Sequence, residues 1–245
     1  MIAGGSGYVG SLMVPGLAAA GHEVRVLDPV RPGGDVAWVQ GSAADPAALA
    51  AGLDGADAVI HAAMARSGPD GVPDPAGSFS VLVASVFTTL DAARRAGVTC
   101  AVVISSLSVF ASEPVPVTDR DVDEASPPDA ADVYGLAKRL AEIVGQAAAR
   151  AHGMTVTVLR IGWPTTDSAW PAWALPGLPE PAVIRCADGT PVPALAASDL
   201  TAAVLAALDR DGGFEVFHIL GDDGSGRCLS TAKARAQLGW QPRRR

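Results

Sequence analysis

The chain of 245 residues is poor in cysteine, histidine, lysine and tyrosine, and each scarcity excludes something. Its three cysteines, Cys100, Cys186 and Cys228, are scattered and odd in number. Neither a disulfide framework nor a metal-ligand spacing follows from them. The four histidines, His22, His61, His152 and His218, are as dispersed, so no metal site is expected. A net charge of −8 argues against a nucleic-acid partner, because phosphate backbones select basic surfaces. No uninterrupted apolar run reaches the ~20 residues that span a bilayer, so no membrane partner is expected. The chain opens directly on a glycine-rich turn with no leader-like segment, which predicts a reducing, cytoplasmic setting. What is abundant is apolar: 49% hydrophobic residues against 18% charged is the balance of a globular chain.

Short apolar runs alternate with helical patterns along the first two-thirds. Strands are predicted at 24–27, 36–39, 58–62, 100–105 and 155–160, and helices at 8–20, 46–53, 79–96 and 131–152. Gly21, Gly97 and Gly153 stand where helices end in a left-handed residue. The stretch 112–132, with Asp119, Asp121, Asp123 and Glu124, reads as a loop, and the proline-rich 163–193 as irregular. A helix at 199–208, a strand at 215–219 and a short helix at 231–238 follow. Alternation of strand and helix implies an α/β fold, a parallel sheet covered by helices on both faces.

Gly4, Gly7 and Gly10 lie in the turn Gly4-Gly5-Ser6-Gly7-Tyr8-Val9-Gly10, between a strand-like start and a helix. Glycine lets the backbone N–H groups of such a turn approach a pyrophosphate, and the helix that begins at Tyr8 and Val9 aims its positive end there. Asp28, at the end of the second strand, is placed to accept from both hydroxyls of an adenosine ribose. Its charge would repel a 2′-phosphate, which favours NAD; nearby Arg31 keeps NADP open. The architecture expected is a Rossmann-type doubly wound parallel sheet. Residues 1–162 would form the dinucleotide-binding domain, and 163–245 a small C-terminal substrate lobe with elements returning to the sheet. Only Met1-Ile2-Ala3 precede Gly4, so the first strand either is short or starts upstream.

The chain has two tyrosines and two lysines, and one of each falls in Tyr134-Gly135-Leu136-Ala137-Lys138. At i and i+4 on a helix they share a face. A neighbouring ammonium favours the phenolate and lowers a tyrosine pKa, as acid–base work near neutrality requires.

With these features in this order, the chain resembles the extended short-chain dehydrogenase/reductase family, and within it the NAD-dependent epimerase/dehydratase group. Ala58-Val59-Ile60-His61-Ala62-Ala63 resembles that family's fourth strand, placing Ala62 and Ala63 beside the cofactor. Ile104-Ser105-Ser106-Leu107-Ser108-Val109-Phe110 resembles its serine-bearing fifth strand, and Arg235-Ala236-Gln237-Leu238-Gly239-Trp240-Gln241-Pro242 its C-terminal signature. The resemblance implies Ser106 as the catalytic serine, with Ser108 as the alternative. It implies Tyr134 as the acid/base, and Lys138 as the residue that holds the nicotinamide ribose and keeps Tyr134 acidic.

The chain departs from the family where substrate is concerned. Leu82 stands where the family has an asparagine on its fourth helix. Trp163 replaces the amide of Arg-x-x-Asn after the sixth strand, and Val192 the arginine that meets a nucleotide sugar's pyrophosphate. Trp163, Trp170 and Trp173 crowd one segment, offering flat apolar surface for a substrate or sealing the lobe's own core. The expected activity is therefore NAD(P)-dependent interconversion of a carbonyl and a secondary alcohol on a small or medium, apolar or aromatic molecule. Three alternatives stay open. One is an epimerase or dehydratase on a nucleotide sugar. Another is a sugar-acid dehydrogenase using Arg185 or Arg66 for the carboxylate. The third is a non-catalytic NAD(P)-binding sensor. The resemblance also implies a homodimer through the two long helices, 79–96 and 131–152; Val81, Val86, Ala141 and Val144 either supply its apolar contact or face the sheet.

Overall fold

The structure is a computed structural model that describes residues 1–65, 74–110, 122–175, 180–186, 188–221 and 229–243. Arg66, Asp119, Asp121 and Cys228 lie outside the described residues. Seven parallel strands make the main sheet: β1 (Ile2–Ala3), β2 (Arg25–Asp28), β3 (Ala37–Gln40), β4 (Ala58–His61), β5 (Cys100–Ser106), β6 (Thr155–Ile161) and, last in sequence, β11 (Phe214–Ile219). Their spatial order is β11-β6-β5-β4-β1-β2-β3, so the winding reverses between β1 and β4. In an open parallel sheet a ligand binds at that reversal, beyond the carboxyl ends of the strands. The register sets Arg160 directly between Ser105 on β5 and His218 on β11.

Successive strand residues point to opposite faces, and each face has its own helices. Val102, Ile104, Leu159 and Phe217 pack beneath α1 (Tyr8–Ala19), α6 (Ala197–Leu208) and α7 (Ala232–Leu238). Ala101, Val103, Val156 and Val158 pack beneath α2 (Pro46–Leu53), α4 (Ser85–Arg95) and α5 (Val133–His152). Aspartates start three helices. Asp45 caps α2, Asp74 caps α3 (Pro75–Phe79), and Asp132 caps α5, each carboxylate accepting from two backbone N–H groups. Gly153 ends α5 in the left-handed conformation at φ 65°, and Gly21 and Gly97 also take positive φ.

Helix α3, a π-helical turn (Ser80–Ala84) and α4 form one continuous helical run, Pro75–Arg95. It starts four residues earlier than the pattern predicts, because Asp74 and Pro75 supply a cap and a first helical residue. An 18-residue window of this 21-residue run has a mean hydropathy of 1.4, which by length and composition alone is enough to cross a membrane. Leu82, Val86, Leu90 and Ala93 nevertheless bury its apolar face within the fold. The ion pairs of Asp91 with Arg94 and Arg95 lie on its outer side.

The segment expected to be irregular, 163–193, contains three two-residue strands, and a fourth follows it. β7 (Pro164–Thr165) pairs with β10 (Leu195–Ala196), and β8 (Ile184–Arg185) with β9 (Pro191–Val192). A third apolar cluster, Leu107, Val109, Phe110, Val122, Leu220 and Leu229, joins this region to the end of β5. Cys186 is disulfide-bonded, which the sequence spacing does not predict. Cysteine content therefore does not by itself place the chain in a reducing compartment. Cys100 is free.

Candidate active site

The glycine turn packs against the end of β4. A Cβ on Gly4, whose φ is +83°, would lie 2.4 Å from the Cα of Ala63, so this approach admits only glycine. The helix that follows has Gly7 at its N-cap and, unlike α2, α3 and α5, no side-chain cap among the described residues. Its first N–H groups, those of Tyr8, Val9 and Gly10, thus point to the carboxyl end of the sheet with no carboxylate on them. Asp28 lies across the turn: its carboxylate accepts from Ser6 N at 3.1 Å and from Val30 N at 2.9 Å. A cradle without room for a side chain, an uncapped helix end and a carboxylate at the ribose position fit NAD. Arg31 is turned aside, with its guanidinium 5.7 Å from the centre of the Trp38 ring. The Tyr8 side chain leaves the turn altogether. Its hydroxyl donates to the Ala174 carbonyl and lies 3.1 Å from that of Pro164, tying α1 to the segment after β6.

Ser106, Tyr134 and Lys138 meet at the carboxyl end of β5, next to the winding reversal. A Cβ on Gly135 would stand 2.3 Å from the Ser108 carbonyl oxygen, so the glycine between Tyr134 and Lys138 lets α5 touch the serine loop. The Ser106 hydroxyl accepts from Ser108 N and reaches Ser108 Oγ, both at 3.1 Å. Lys138 is 7% exposed; its ammonium donates to the Ile104 carbonyl at 2.7 Å and lies 5.8 Å from the centre of the Tyr134 ring. Burial raises the Tyr134 phenol above its usual pKa, partly offset by a hydrogen bond with Ser106. This is the reverse of the direction expected from the lysine spacing: desolvation is the largest cause, and the Asp132 carboxylate adds to it. Lys138 carries the opposite shift, lowered by burial to about 8 and pulled back by Glu142.

Behind this centre lies a charged layer that sequence reading missed. Glu142 binds Arg160 through two contacts, 3.0 Å to Nε and 2.7 Å to Nη2, and accepts from Ser105 Oγ at 2.6 Å. Arg160 Nη1 lies 3.5 Å from His218 Nε2. Burial and the Arg160 charge pull His218 down to about 3. His61, on the other side, lies 2.7 Å from Ser85 Oγ and is pulled to about 3 by burial and by Lys138. The available signal was the spacing of Tyr134, Lys138 and Glu142, three polar residues at i, i+4 and i+8 on one helix stripe.

The substrate-side residues divide. Leu82 is buried in the core. Trp163 (φ 45°) and Val192 pack on the cluster that backs the serine loop. Trp173 pairs with Ala182 through mutual 2.8 Å backbone hydrogen bonds, and its indole N–H has no partner among the described residues. Trp170 is partly buried one turn away. Arg185 is exposed and donates to the Gly189 carbonyl at 3.0 Å. A cavity of about 420 Å³, lined by His22, Arg25 and Ala58, opens at the opposite end of the sheet, away from this chemistry.

Residues 1–219 match the model of the NAD dependent epimerase/dehydratase family. The chain belongs to this family. A UDP-glucose 4-epimerase from Corynebacterium glutamicum is 29% identical over 168 residues, covering 65% of this chain and 49% of the relative. A 3 beta-hydroxysteroid dehydrogenase/Delta 5→4-isomerase from Mycobacterium tuberculosis is 35% identical over 138 residues, 49% of this chain and 37% of the relative. The chain thus spans about half the length or less of these curated relatives. Among solved structures, MoeE5 in complex with UDP-glucose and NAD superposes with a TM-score of 0.77 at 21% identity, over 100% of this chain and 93% of that one. Uronate dehydrogenase from Agrobacterium tumefaciens gives 0.76 at 21%, over 99% and 83%. These likenesses establish the seven-stranded fold. NAD is the family's cofactor, and the site residues fit it.

Asp28→Asn should weaken NAD about 10- to 100-fold, the worth of a charge-assisted hydrogen bond, and leave NADP unchanged or tighter. Fluorescence titration with both nucleotides reads this. Equal weakening of both would mean that Asp28 acts only by holding the turn.

Proposed function

We propose that the protein is an NAD-dependent oxidoreductase that interconverts a carbonyl and a secondary alcohol on a compact apolar or aromatic molecule. The observation that carries this reading is the convergence of the Ser106 hydroxyl, the Tyr134 phenol and the Lys138 ammonium at the carboxyl end of β5. NAD, when bound, supplies the hydride acceptor or donor. Ser106 hydrogen-bonds the substrate oxygen, and Tyr134 moves the proton on that same oxygen. Because burial keeps Tyr134 a phenol, the resting site is poised to donate, which suits reduction of a carbonyl. Lys138, charged below about pH 8, stabilises negative charge developing on the phenolic oxygen after the proton leaves. The apolar substrate class rests on Trp163 and Val192, which put apolar surface where a sugar amide contact and a phosphate-binding arginine are expected. Burying a pyrophosphate without a cation is costly. Similarity to a hydroxysteroid dehydrogenase points the same way.

A second reading, internal cofactor cycling on a sugar or nucleotide sugar, is favoured by the likeness to UDP-glucose 4-epimerase. Cofactor stoichiometry separates the two. The first predicts one NADH consumed per carbonyl reduced across a panel of aromatic and alicyclic ketones, with UDP-glucose left unchanged. Conversion of UDP-glucose without net NADH change would overturn it.

The same reading includes a homodimer through α4 and α5, which pack side by side. Val86 and Ala141 turn inward to the core, and Val81 and Val144 pack on its margin, so they do not supply the contact. Phe87 and Ile143, 61% and 60% exposed, do. Light scattering should give twice the 24.7 kDa chain mass, falling toward one chain in Phe87→Ser/Ile143→Ser. A wild-type monomer would contradict the dimer.

A further inference from the structure

The charged layer behind Tyr134 has a definite composition. Lys138 and Arg160 are cations and Glu142 is the anion between them. Lys138 is faced by Tyr134 and Glu142 from its own helix, by His61 from β4 and by the Ile104 carbonyl from β5. Beyond Glu142 stand Arg160 on β6 and His218 on β11. Both histidines are neutral near pH 7, and Asp132 sits at the exposed start of the helix near Tyr134. Glu142 is thus the one buried carboxylate in this set that bears on Lys138. It is held on both oxygens, by Arg160 Nε and Ser105 on one and Arg160 Nη2 on the other. A carboxylate with both oxygens so fixed cannot turn to solvent, and its field on Lys138 is constant.

We propose that Glu142 is a positioning residue of the proton-transfer centre: clamped by Arg160 and Ser105, it holds the Lys138 ammonium charged and seated beneath Tyr134. Burial alone favours neutral lysine, and a neutral amine would neither draw the phenolate nor keep a full charge near the substrate oxygen. The Glu142 carboxylate opposes that loss without competing for Lys138 as a direct ion-pair partner, because Arg160 and Ser105 take both of its oxygens. The Lys138 donors are left to the Ile104 carbonyl and to the cleft. Arg160 is thereby assigned to Glu142, not to a substrate anion. The inference rests on the assignment of Tyr134 and Lys138 as the working pair, but its test does not require turnover.

The chain has only two lysines, so lysine labelled with ¹³C at Cε gives two signals, and Lys233→Arg identifies that of Lys138. In the wild type the Lys138 signal should titrate with a midpoint near 8. Glu142→Gln should lower that midpoint by about 1 unit or more, the usual effect of removing an opposite charge at this range. Ser105→Ala, which removes a hydrogen bond but no charge, should leave the midpoint within ~0.3 unit of wild type, well inside that charge effect. If Glu142→Gln alone does not fold, Glu142→Gln with Arg160→Met removes the unpaired cation, and the midpoint should still fall. A Lys138 midpoint unchanged in either folded carboxamide variant would overturn the proposal. Failure to reduce any carbonyl, with the midpoint shifted as expected, would instead count against the proposed reaction and leave the role of Glu142 standing.

Discussion

The site depends on one costly interaction, the burial of the Lys138 ammonium against the Ile104 carbonyl near the carboxyl end of β5. A charge removed from water must be met by partners or it is neutralised. Several local features of the chain follow from meeting it. Gly135 has no side chain because α5 must touch the serine loop for Lys138 to reach β5. Asp132 caps the same helix one turn earlier and fixes its start. Glu142 lies one turn beyond, and Arg160 balances Glu142 from the neighbouring strand. His61 and His218, flanking the layer, are held neutral partly by the cations they face. The Tyr134 ring lies 5.8 Å from the Lys138 ammonium in this arrangement.

Local patterns in the sequence were enough to read most of the scaffold. The helix at Pro46–Leu53 has the bounds predicted, and six strands are offset by a residue or less at either end, because apolar spacing and capping residues are written over a few neighbouring positions. The glycine turn, Asp28 and the Tyr134/Lys138 pair were legible for the same reason. What was not legible depends on contacts between distant residues. Arg160 meets Glu142 only through the pairing of β6 with β5 and the docking of α5 over both. The start of the long helix at Pro75, the disulfide at Cys186 and the turning aside of Arg31 onto Trp38 are likewise tertiary facts. The direction of the Tyr134 shift was misread because spacing reports a neighbour's charge and not the loss of water around a ring.

The departures from the family pattern take on physical meaning in the fold. Leu82 falls in the π-helical turn and is buried, so no side-chain relay runs through that position. Trp163 and Val192 pack on the apolar cluster that continues from the serine loop, and the Tyr8 hydroxyl ties the start of α1 to the same lobe. The glycine turn and the segment around Pro164 and Ala174 are therefore joined mechanically. In the proposed reaction, polar recognition falls to Ser106, Ser108 and Tyr134, beside the apolar surface of Trp163 and Val192.

The central claim is that Tyr134 moves the proton and is not a structural ring. The most direct measurement pairs NAD binding with turnover of the reduced carbonyl in Tyr134→Phe. The account predicts a cofactor dissociation constant within ~3-fold of wild type and a rate lower by about 10²- to 10⁴-fold, the usual contribution of a positioned general acid. A Tyr134→Phe protein that binds NAD and keeps the wild-type rate would contradict it.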